Sequence, residues 1–450
     1  MKKALACFKA YDIRGRLPDE LNPALAEKIG RAFVAVCGLK KVAVGHDIRL
    51  SSPELAAALI EGIRQGGAEV VFLGLCATEE VYHAAFHRQQ EGIDGGVMVT
   101  ASHNPADYNG MKFVIAGAVP LSGERLGEIA ARVAADDLPT KAAEPGGKSD
   151  FFDKSAYIEH LLGYIDLAQL KPLKIVANAG NGCAGPILDL LAQHLPFTFV
   201  HLNHQPDGHF PKGVPNPLLP GNRAETARAV RESGADLGLA WDGDADRCFF
   251  WDERGDFIEG YYMVGLLAHE MLRLAPGATI LYDPRLTWNT EELVARDGGR
   301  AVMSKTGHVY IKERMRKEQA VYGGEMSAHH YFRNFGYCDS GMISWLLVVS
   351  LLSRSGAPLS DMVGAMERAY PVSGEINRTV ADADAVLAEL GRRYADGRQE
   401  FLDGLSVSYA SWRFNVRKSN TEPLLRLNVE TRGDAALLRE KTEELLALIK

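Results

Sequence analysis

The chain of 450 residues carries 50 Lys and Arg against 58 Asp and Glu, a formal net charge of −8, with 46% hydrophobic and 24% charged residues. This balance excludes a disordered or fibrous chain and sets it apart from basic nucleic-acid-binding proteins. The length calls for roughly three or four domains of about 100–150 residues each.

Six cysteines, Cys7, Cys37, Cys76, Cys183, Cys248 and Cys338, lack CxxC spacing, which points to neither a zinc site nor a disulfide framework and fits a reducing cytoplasm. The N-terminal residues hold two lysines but no apolar core of a signal peptide, and the most apolar later segment, Met342 to Leu352, is too short to span a bilayer. No targeting segment and no membrane partner is expected.

Phe8 to Gly15 reads as a strand end running into a polar loop with one isolated arginine, Arg14. Asn22-Pro23 opens a helix, Lys41 to Gly45 reads as a strand, Ser52-Pro53 opens a second helix, and Glu69 to Gly74 is another strand. The glycine-bounded apolar run Gly95 to Val99 predicts a buried strand that delivers Thr100-Ala101-Ser102-His103-Asn104-Pro105 onto a loop, with Asn104-Pro105 breaking the chain. Met111 to Ile115 closes the unit, a helix follows around Leu126 to Ala134, and Asp136 to Asp150 has the Pro, Gly and Lys content of a linker.

The pattern then repeats. A helix at Tyr157 to Ile165 and a strand at Leu173 to Ala177 lead to the strand Asp236 to Trp241 and its acidic loop. Thr279 to Tyr282 with the loop Asp283-Pro284-Arg285, and later Gly323 to His330, form a third unit. Strand alternating with helix implies right-handed βαβ units and mostly parallel pairing, so three such units in succession suggest a degenerate repeat of about 100 residues. From Tyr370-Pro371 onward, strands bunched between helices near Ala383 to Tyr394 and from Asp434 predict a smaller α+β domain. The expected domains are residues 1–150, 151–255, 256–369 and 370–450, carrying in turn the Ser102 loop, the acidic loop, the Glu325 loop and the Arg417 loop.

Asp242-Gly243-Asp244-Ala245-Asp246-Arg247 places three carboxylates at alternate positions after a strand, where they can converge on one hard cation such as Mg²⁺. A calcium EF-hand loop fits Asp at positions 1, 3 and 5 and Glu253 at position 12, yet Arg247 replaces the turn glycine and a strand follows. A solvated acidic turn is the plainer alternative. Arg417-Lys418-Ser419-Asn420-Thr421 bunches cations with hydroxyl and amide donors suited to a phosphate dianion. Glu325, Ser327, His329 and His330 offer groups of the kind that grip sugar hydroxyls, although a histidine pair can also simply be packed. Lys305-Thr306-Gly307-His308 adds a further cation and imidazole.

The loops Thr100–Pro105, Asp242–Arg247, Gly324–His330 and Arg417–Pro423, in this order and with Tyr11-Asp12-Ile13-Arg14-Gly15 and Gly213-Val214-Pro215-Asn216-Pro217, closely resemble those of the α-D-phosphohexomutases. The likeness covers essentially the whole chain and is nearest to the bacterial phosphomannomutase branch. It implies three related mixed-sheet α/β domains and a smaller α+β domain around a central cleft. It implies interconversion of mannose 6-phosphate and mannose 1-phosphate through a phosphorylated Ser102 and a hexose 1,6-bisphosphate, which also serves as activator, with the product supplying GDP-mannose synthesis. By the same resemblance Mg²⁺ is held by Ser102, Asp242, Asp244 and Asp246. Arg14, His103, Lys112 and Arg247 form a charge-stabilising ring, and His308 and His329 act as acid/base or orienting groups. Tyr11, Arg285, Lys305, Glu325, Ser327, Arg417, Ser419, Asn420 and Thr421 bind substrate.

Arg285 departs from the lysine expected at its position, and an arginine cannot serve as a base near neutral pH. Rival readings are a mutase of dual mannose and glucose specificity, a phosphatase using Asp244 and Asp246, and a sugar-phosphate-binding protein without turnover. The expected partners are sugar phosphates, with no nucleic acid, and the expected state is a monomer or homodimer.

Overall fold

An apolar run with no polar face is stable as a strand only between two layers of side chains, and several such runs build this protein. The structure, a computed structural model, describes residues 6–418 and 424–449. These divide into two units: the chain as far as Asp256 with Tyr331–Ser355, and Phe257–His330 with the residues from Gly356 onward.

The first unit starts with β1 (Ile13–Arg16), α1 (Pro23–Cys37), β2 (Lys41–His46), α2 (Ser52–Gln65), β3 (Glu69–Leu75) and α3 (Thr78–His87). It continues with β4 (Gly95–Val99), β5 (Tyr108–Ile115), β6 (Val119–Pro120), α4 (Gly123–Ala135) and β7 (Lys148–Asp150). The sheet order is β1-β5-β4-β2-β3-β7, with β6 beside β5. Strands β4, β2, β3 and β7 are parallel, while at the other edge β5 pairs antiparallel with β4 and β1 antiparallel with β5. Asn22 caps α1 by accepting from the Leu25 amide, Pro23 occupies the first turn, and Gly38 ends the helix in the left-handed conformation. Every residue of β4 is buried, and Val42, Val44, Val97 and Val99 join Leu59 and Ile63 of α2 in one core.

A second sheet follows from α5 (Ser155–Leu162), β8 (Lys174–Asn178), α6 (Ala184–Ala192), β9 (Thr198–Leu202), α7 (Ala224–Ser233), β10 (Leu237–Trp241) and β11 (Cys248–Trp251). Its order is β11-β10-β8-β9, parallel except for the hairpin of β10 and β11. The acidic loop is the turn of that hairpin.

The second unit opens with β12 (Phe257–Ile258), α8 (Gly260–Leu274), β13 (Thr279–Tyr282), α9 (Trp288–Arg296), β14 (Arg300–Met303), α10 (His308–Glu318) and β15 (Tyr322–Gly324). Strand β13 pairs in parallel with both β14 and β15. The chain next forms the antiparallel pair β16 (His330–Phe332) and β17 (Cys338–Asp339), and then α11 (Gly341–Ser355). The rest comprises α12 (Leu359–Ala369), β18 (Ile376–Thr379), α13 (Ala383–Arg393), β19 (Arg398–Glu400), β20 (Leu405–Ser408), β21 (Trp412–Lys418), β22 (Leu424–Thr431) and α14 (Ala435–Leu448). Its sheet, β18-β22-β21-β20-β19, is antiparallel throughout, and Leu390, Val407, Phe414, Val416, Leu427 and Leu445 share its core. Three α/β sections with mixed pairing and one α+β section are thus the architecture.

The structure departs from the sequence expectations in three places. Arg14 stands on β1, paired with Gly110 of β5, instead of in a loop. The linker-like stretch ends as β7, because an exposed edge strand needs backbone partners more than apolar side chains; the Val70 amide donates to the Gly147 carbonyl and the Phe151 amide to Phe72. Helix α3 stands where no helix is expected. The apolar segment Met342 to Leu352 lies within the buried helix α11. Among the described residues no single helix is long and apolar enough to cross a membrane.

Candidate active site

Sites in α/β folds form where strands release their chains, and the flagged loops sit at such ends. In the first unit the chain leaves β4 and turns at Ser102, whose φ of 49° is left-handed, an unfavourable conformation for a residue with a side chain. Strain of this kind persists only when the surroundings over-determine it, and here they do. The Ser102 amide donates to Thr100 Oγ1 at 2.8 Å, and Thr100 Oγ1 donates to Asp47 Oδ2 at 2.6 Å. Buried Arg49 donates to four carbonyls of the loop: Ser102 at 2.9 Å, Asn104 at 2.6 Å, Pro105 at 2.7 Å and Tyr108 at 2.9 Å. The Ser102 carbonyl also lies against Gly243, where an added Cβ would sit 2.7 Å away, so the acidic loop approaches this closely only with glycine at 243.

That approach brings the serine to the carboxylates. Ser102 Oγ donates to Asp242 Oδ2 at 2.9 Å and lies 3.0 Å from His103 Nδ1. Lys112 Nζ, projecting from β5, donates to Asp244 Oδ2 at 2.6 Å and Asp246 Oδ2 at 2.5 Å. Arg247 donates to Asp242 Oδ2 through Nε at 3.0 Å and through its terminal nitrogen at 2.8 Å, and reaches His103 Nδ1 at 2.6 Å. Arg14 bridges Asp12 and Asn104, each at 2.8 Å. Tyr11 is half-buried in the bend before β1.

Electrostatics follow from this packing. Burial raises the carboxyl of Asp246, and the neighbouring Asp244 charge pushes it further up. At Asp244 burial acts in the same sense, but Lys112 overrides it and holds that carboxyl below the usual range. Burial, then the Arg247 and Arg14 charges, drive His103 far below an ordinary imidazole, so it is neutral near pH 7.

The three aspartates present oxygens within 4.8 Å of one another. Asp244 Oδ1 and Asp246 Oδ1 are buried with no hydrogen-bond partner among the described residues. Orphaned carboxylate oxygens beside a serine hydroxyl are the donor set a hard divalent cation takes, so these residues fit Mg²⁺.

The second unit gathers another polar set. Arg285 is 2% exposed and grips Asp283 with Nε at 2.9 Å and a terminal nitrogen at 2.8 Å. It reaches Ser327 Oγ at 3.4 Å, and the Met326 amide donates to Asp283 Oδ2 at 2.8 Å. Glu325, also 2% exposed, accepts from the Gly307 amide at 2.9 Å, tying the loop after β15 to the start of α10. His308 is the first residue of α10; it and His329 are half-buried, and exposed Lys305 lies over the Tyr310 ring. Arg417 ends inside β21, where its guanidinium meets Glu375 at 3.1 Å. Glu375 also receives Arg285 at 3.5 Å and Arg426 at 3.0 Å. Ser419, Asn420 and Thr421 lie outside the described residues. His330 is fully buried beside Tyr322 Oη at 2.7 Å, and burial pushes its imidazole down to about 3, the behaviour of a packed histidine.

Comparison with known proteins gives these loops a context. Residues 6–140, 155–255 and 259–370 match the phosphoglucomutase/phosphomannomutase α/β/α domains I, II and III, and residues 375–447 match the C-terminal domain of the same family. The chain belongs to the phosphoglucomutase/phosphomannomutase family. Among curated relatives, "Phosphohexose mutases" of Xanthomonas campestris pv. campestris is 58% identical over 99% of each chain. A "Phosphomannomutase" of Escherichia coli is 52% identical over 99% of each. A solved phosphoglucomutase/phosphomannomutase family protein from Burkholderia thailandensis superposes with a TM-score of 0.87 at 33% identity, covering 98% of this chain and 96% of that one.

Within this family member, sequence reasoning passed over the residues that hold the loops. Asp47 and Arg49 follow β2 as the flagged loops follow their strands, so the same rule reaches them. Thr78 starts α3 and donates to Asp244 Oδ2 at 2.5 Å, while its amide donates to the Asp244 carbonyl. Neither Thr78 nor Glu375 has a local signal, since their partners lie far away in the chain.

Proposed function

We propose that this chain is a phosphomannomutase, interconverting mannose 6-phosphate and mannose 1-phosphate by way of a phosphorylated Ser102 and a hexose 1,6-bisphosphate. The observation that carries the reading is Ser102 itself, held in a left-handed turn with its hydroxyl 2.9 Å from Asp242 in a nest of buried charge. Chain-long identity to proteins named phosphomannomutase supports the sugar.

Phosphoryl transfer needs position and charge balance more than covalent help. In the forward half the Ser102 Oγ–P bond breaks, a P–O bond forms to the free hydroxyl of the sugar monophosphate, and the hydroxyl proton is the one that Oγ finally carries. The bisphosphate turns round and the reverse transfer returns its other phosphate to Ser102. His103, neutral and 3.0 Å from Oγ, is placed to hold that proton in passing. Arg14, Lys112 and Arg247 supply fixed positive charge around the transferring group. Mg²⁺, when bound by Ser102, Asp242, Asp244 and Asp246, supplies neutralisation of the phosphoryl oxygens. Arg285, Arg417, Ser419, Asn420 and Thr421 hold the phosphate that is not reacting. Glu325 and Ser327 read the sugar hydroxyls with Tyr11 and Lys305, and His308 and His329 orient or exchange protons. The bisphosphate restores any enzyme that has lost its phosphoryl group. We assign the enzyme to the cytoplasm on cysteines that neither pair nor cluster, and its product, as mannose 1-phosphate, to GDP-mannose synthesis.

The test is intact-mass analysis before and after treatment with hexose 1,6-bisphosphate, with peptide mapping. One phosphoryl adduct on Ser102, gained with the bisphosphate as activity appears and retained through turnover of mannose 6-phosphate, is expected. Release of inorganic phosphate faster than isomerisation would instead make the protein a phosphatase. A second reading, dual mannose and glucose specificity, draws on the broader name of the Xanthomonas relative. A kcat/KM for glucose 1-phosphate equal to that for mannose 1-phosphate would establish it.

A further inference from the structure

The first unit carries a second cluster of metal-ligating side chains that the mutase chemistry leaves unused. His83 and His87 stand one helical turn apart on α3, so their rings share a face, and His160 of α5 packs against them. Ring centroids are 4.6 Å apart for His83 and His87, 4.3 Å for His87 and His160, and 5.5 Å for His83 and His160. One ring nitrogen from each lies within 4.8 Å of the other two. The three grade from surface to core, His87 exposed, His160 half-buried and His83 buried, which leaves an approach from solvent to a partly desolvated interior. His160 Nε2 is buried with no hydrogen-bond partner among the described residues. Tyr157, Tyr164 and Phe335 wall the cluster. The cation beside it, Arg88, is turned aside onto Glu91 at 2.6 Å and the Phe151 ring at 3.6 Å.

We propose that His83, His87 and His160 form a transition-metal site separate from the acidic cluster, taking Zn²⁺ or a similar divalent ion with water as the fourth ligand. Imidazole is the ligand such ions select, and three histidines with one open position is a recognised zinc arrangement, whereas Mg²⁺ prefers oxygen and is discriminated against. Zn–N bonds of about 2.0–2.1 Å put tetrahedral ligand nitrogens about 3.3 Å apart, so side-chain rotation has at most about 1.5 Å of the present spacing to close. Burial depresses all three imidazoles, helped at His83 by His87, His160 and Arg88 and at His160 by His87, which takes His83 to about 3 and His160 to about 4, so the ligands are already unprotonated near neutrality. A bound ion would clasp α3 to α5. Because α3 begins with the Thr78 that holds Asp244, the clasp stiffens the helix behind the acidic loop.

The experiment uses the full chain stripped of transition metals and kept in millimolar Mg²⁺, titrated with Zn²⁺ and in parallel with Co²⁺. Wild type is expected to retain one Zn²⁺ per chain after dialysis, to melt at higher temperature with it, and to give the visible bands of tetrahedral Co²⁺. His87→Gln, a change at an exposed position, and His160→Gln should weaken binding by about tenfold or more and abolish the Co²⁺ bands. Asp244→Asn should keep both. Equal Zn²⁺ binding in wild type and His87→Gln, or loss of the bound ion in Asp244→Asn alone, would overturn the proposal.

Discussion

Glu375 is the place where a single charge can be removed with a calculable effect. Its carboxylate sits among Arg285, Arg417 and Arg426 at 3.5, 3.1 and 3.0 Å, with side-chain exposures of 15% for the glutamate and 3, 7 and 25% for the arginines. Burial raises its carboxyl, but the three guanidiniums prevail and hold it below the ordinary range. Glu375→Gln keeps the volume and one acceptor while leaving three cations facing one another. Breaking a buried ion pair costs about 3–5 kcal/mol, and the partial exposure of Arg426 together with the remaining acceptor brings the expected loss to about 3 kcal/mol. At about 2–4 °C per kcal/mol the second unit should melt about 6–12 °C lower. The same cations, no longer balanced, should bind a free dianion more tightly. Inorganic phosphate should therefore raise the melting temperature of the variant more than that of wild type. A depressed carboxyl contributes stability above its unfolded pKa that is lost as pH falls, so the gap between the two proteins should narrow below about pH 4. Calorimetry with and without phosphate checks all of this. A melting temperature within 1–2 °C of wild type, or equal shifts with phosphate, would refute the idea that Glu375 stands in for the anion.

Ser102→Ala should abolish nearly all mutase turnover with the melting temperature unchanged, measured by coupled assay and calorimetry; wild-type-like activity would remove Ser102 as the phosphoryl carrier. Gly243→Ala should drive the acidic loop off the Ser102 carbonyl and lower kcat by about tenfold or more, since a displacement near 1 Å is expensive in transfer chemistry. Arg417→Ala should raise KM for mannose 1-phosphate with a smaller change in kcat, because a grip on the distant phosphate acts on ground and transition states alike. His83 and His160 are held neutral in the fold, and the unfolded chain binds their protons first. Stability should thus decline as pH falls from about 6.5 toward 4, by about 1.4 kcal/mol per pH unit for each histidine fully involved, and urea titrations across that range measure it.

What could be read from the chain was whatever rests on neighbours in sequence. The strand before Ser102 is announced by Gly95 and Gly96 and an unbroken apolar run, and the acidic loop by carboxylates at alternate positions before Cys248 to Trp251. The Asn22 cap and Asp434, which caps α14 by accepting from the Ala436 and Leu437 amides, are likewise local. Helix α3 escaped because Ala77 before it offers no side-chain cap and because Thr78 to Ala85 are buried all round, which removes the amphipathic period. Its one local mark is Glu80, whose carboxylate reaches back to the Ala77 amide at 2.8 Å. Strand β1 was hidden because Arg14 and Arg16 alternate with Ile13 and Gly15 over only four residues. The ring of arginines on Glu375 joins residues up to 90 positions apart and leaves no trace in any short window.

Arg49 gives the serine loop its shape from outside. Four carbonyls between Ser102 and Tyr108 converge on one guanidinium that arrives from the loop after β2, more than fifty residues earlier. The hexapeptide Thr100–Pro105 is therefore a casting, and Arg49 with Asp47 is its mould. Transplanted onto another sheet without them, the same six residues would be an ordinary turn, and their reactivity would stay behind with the arginine.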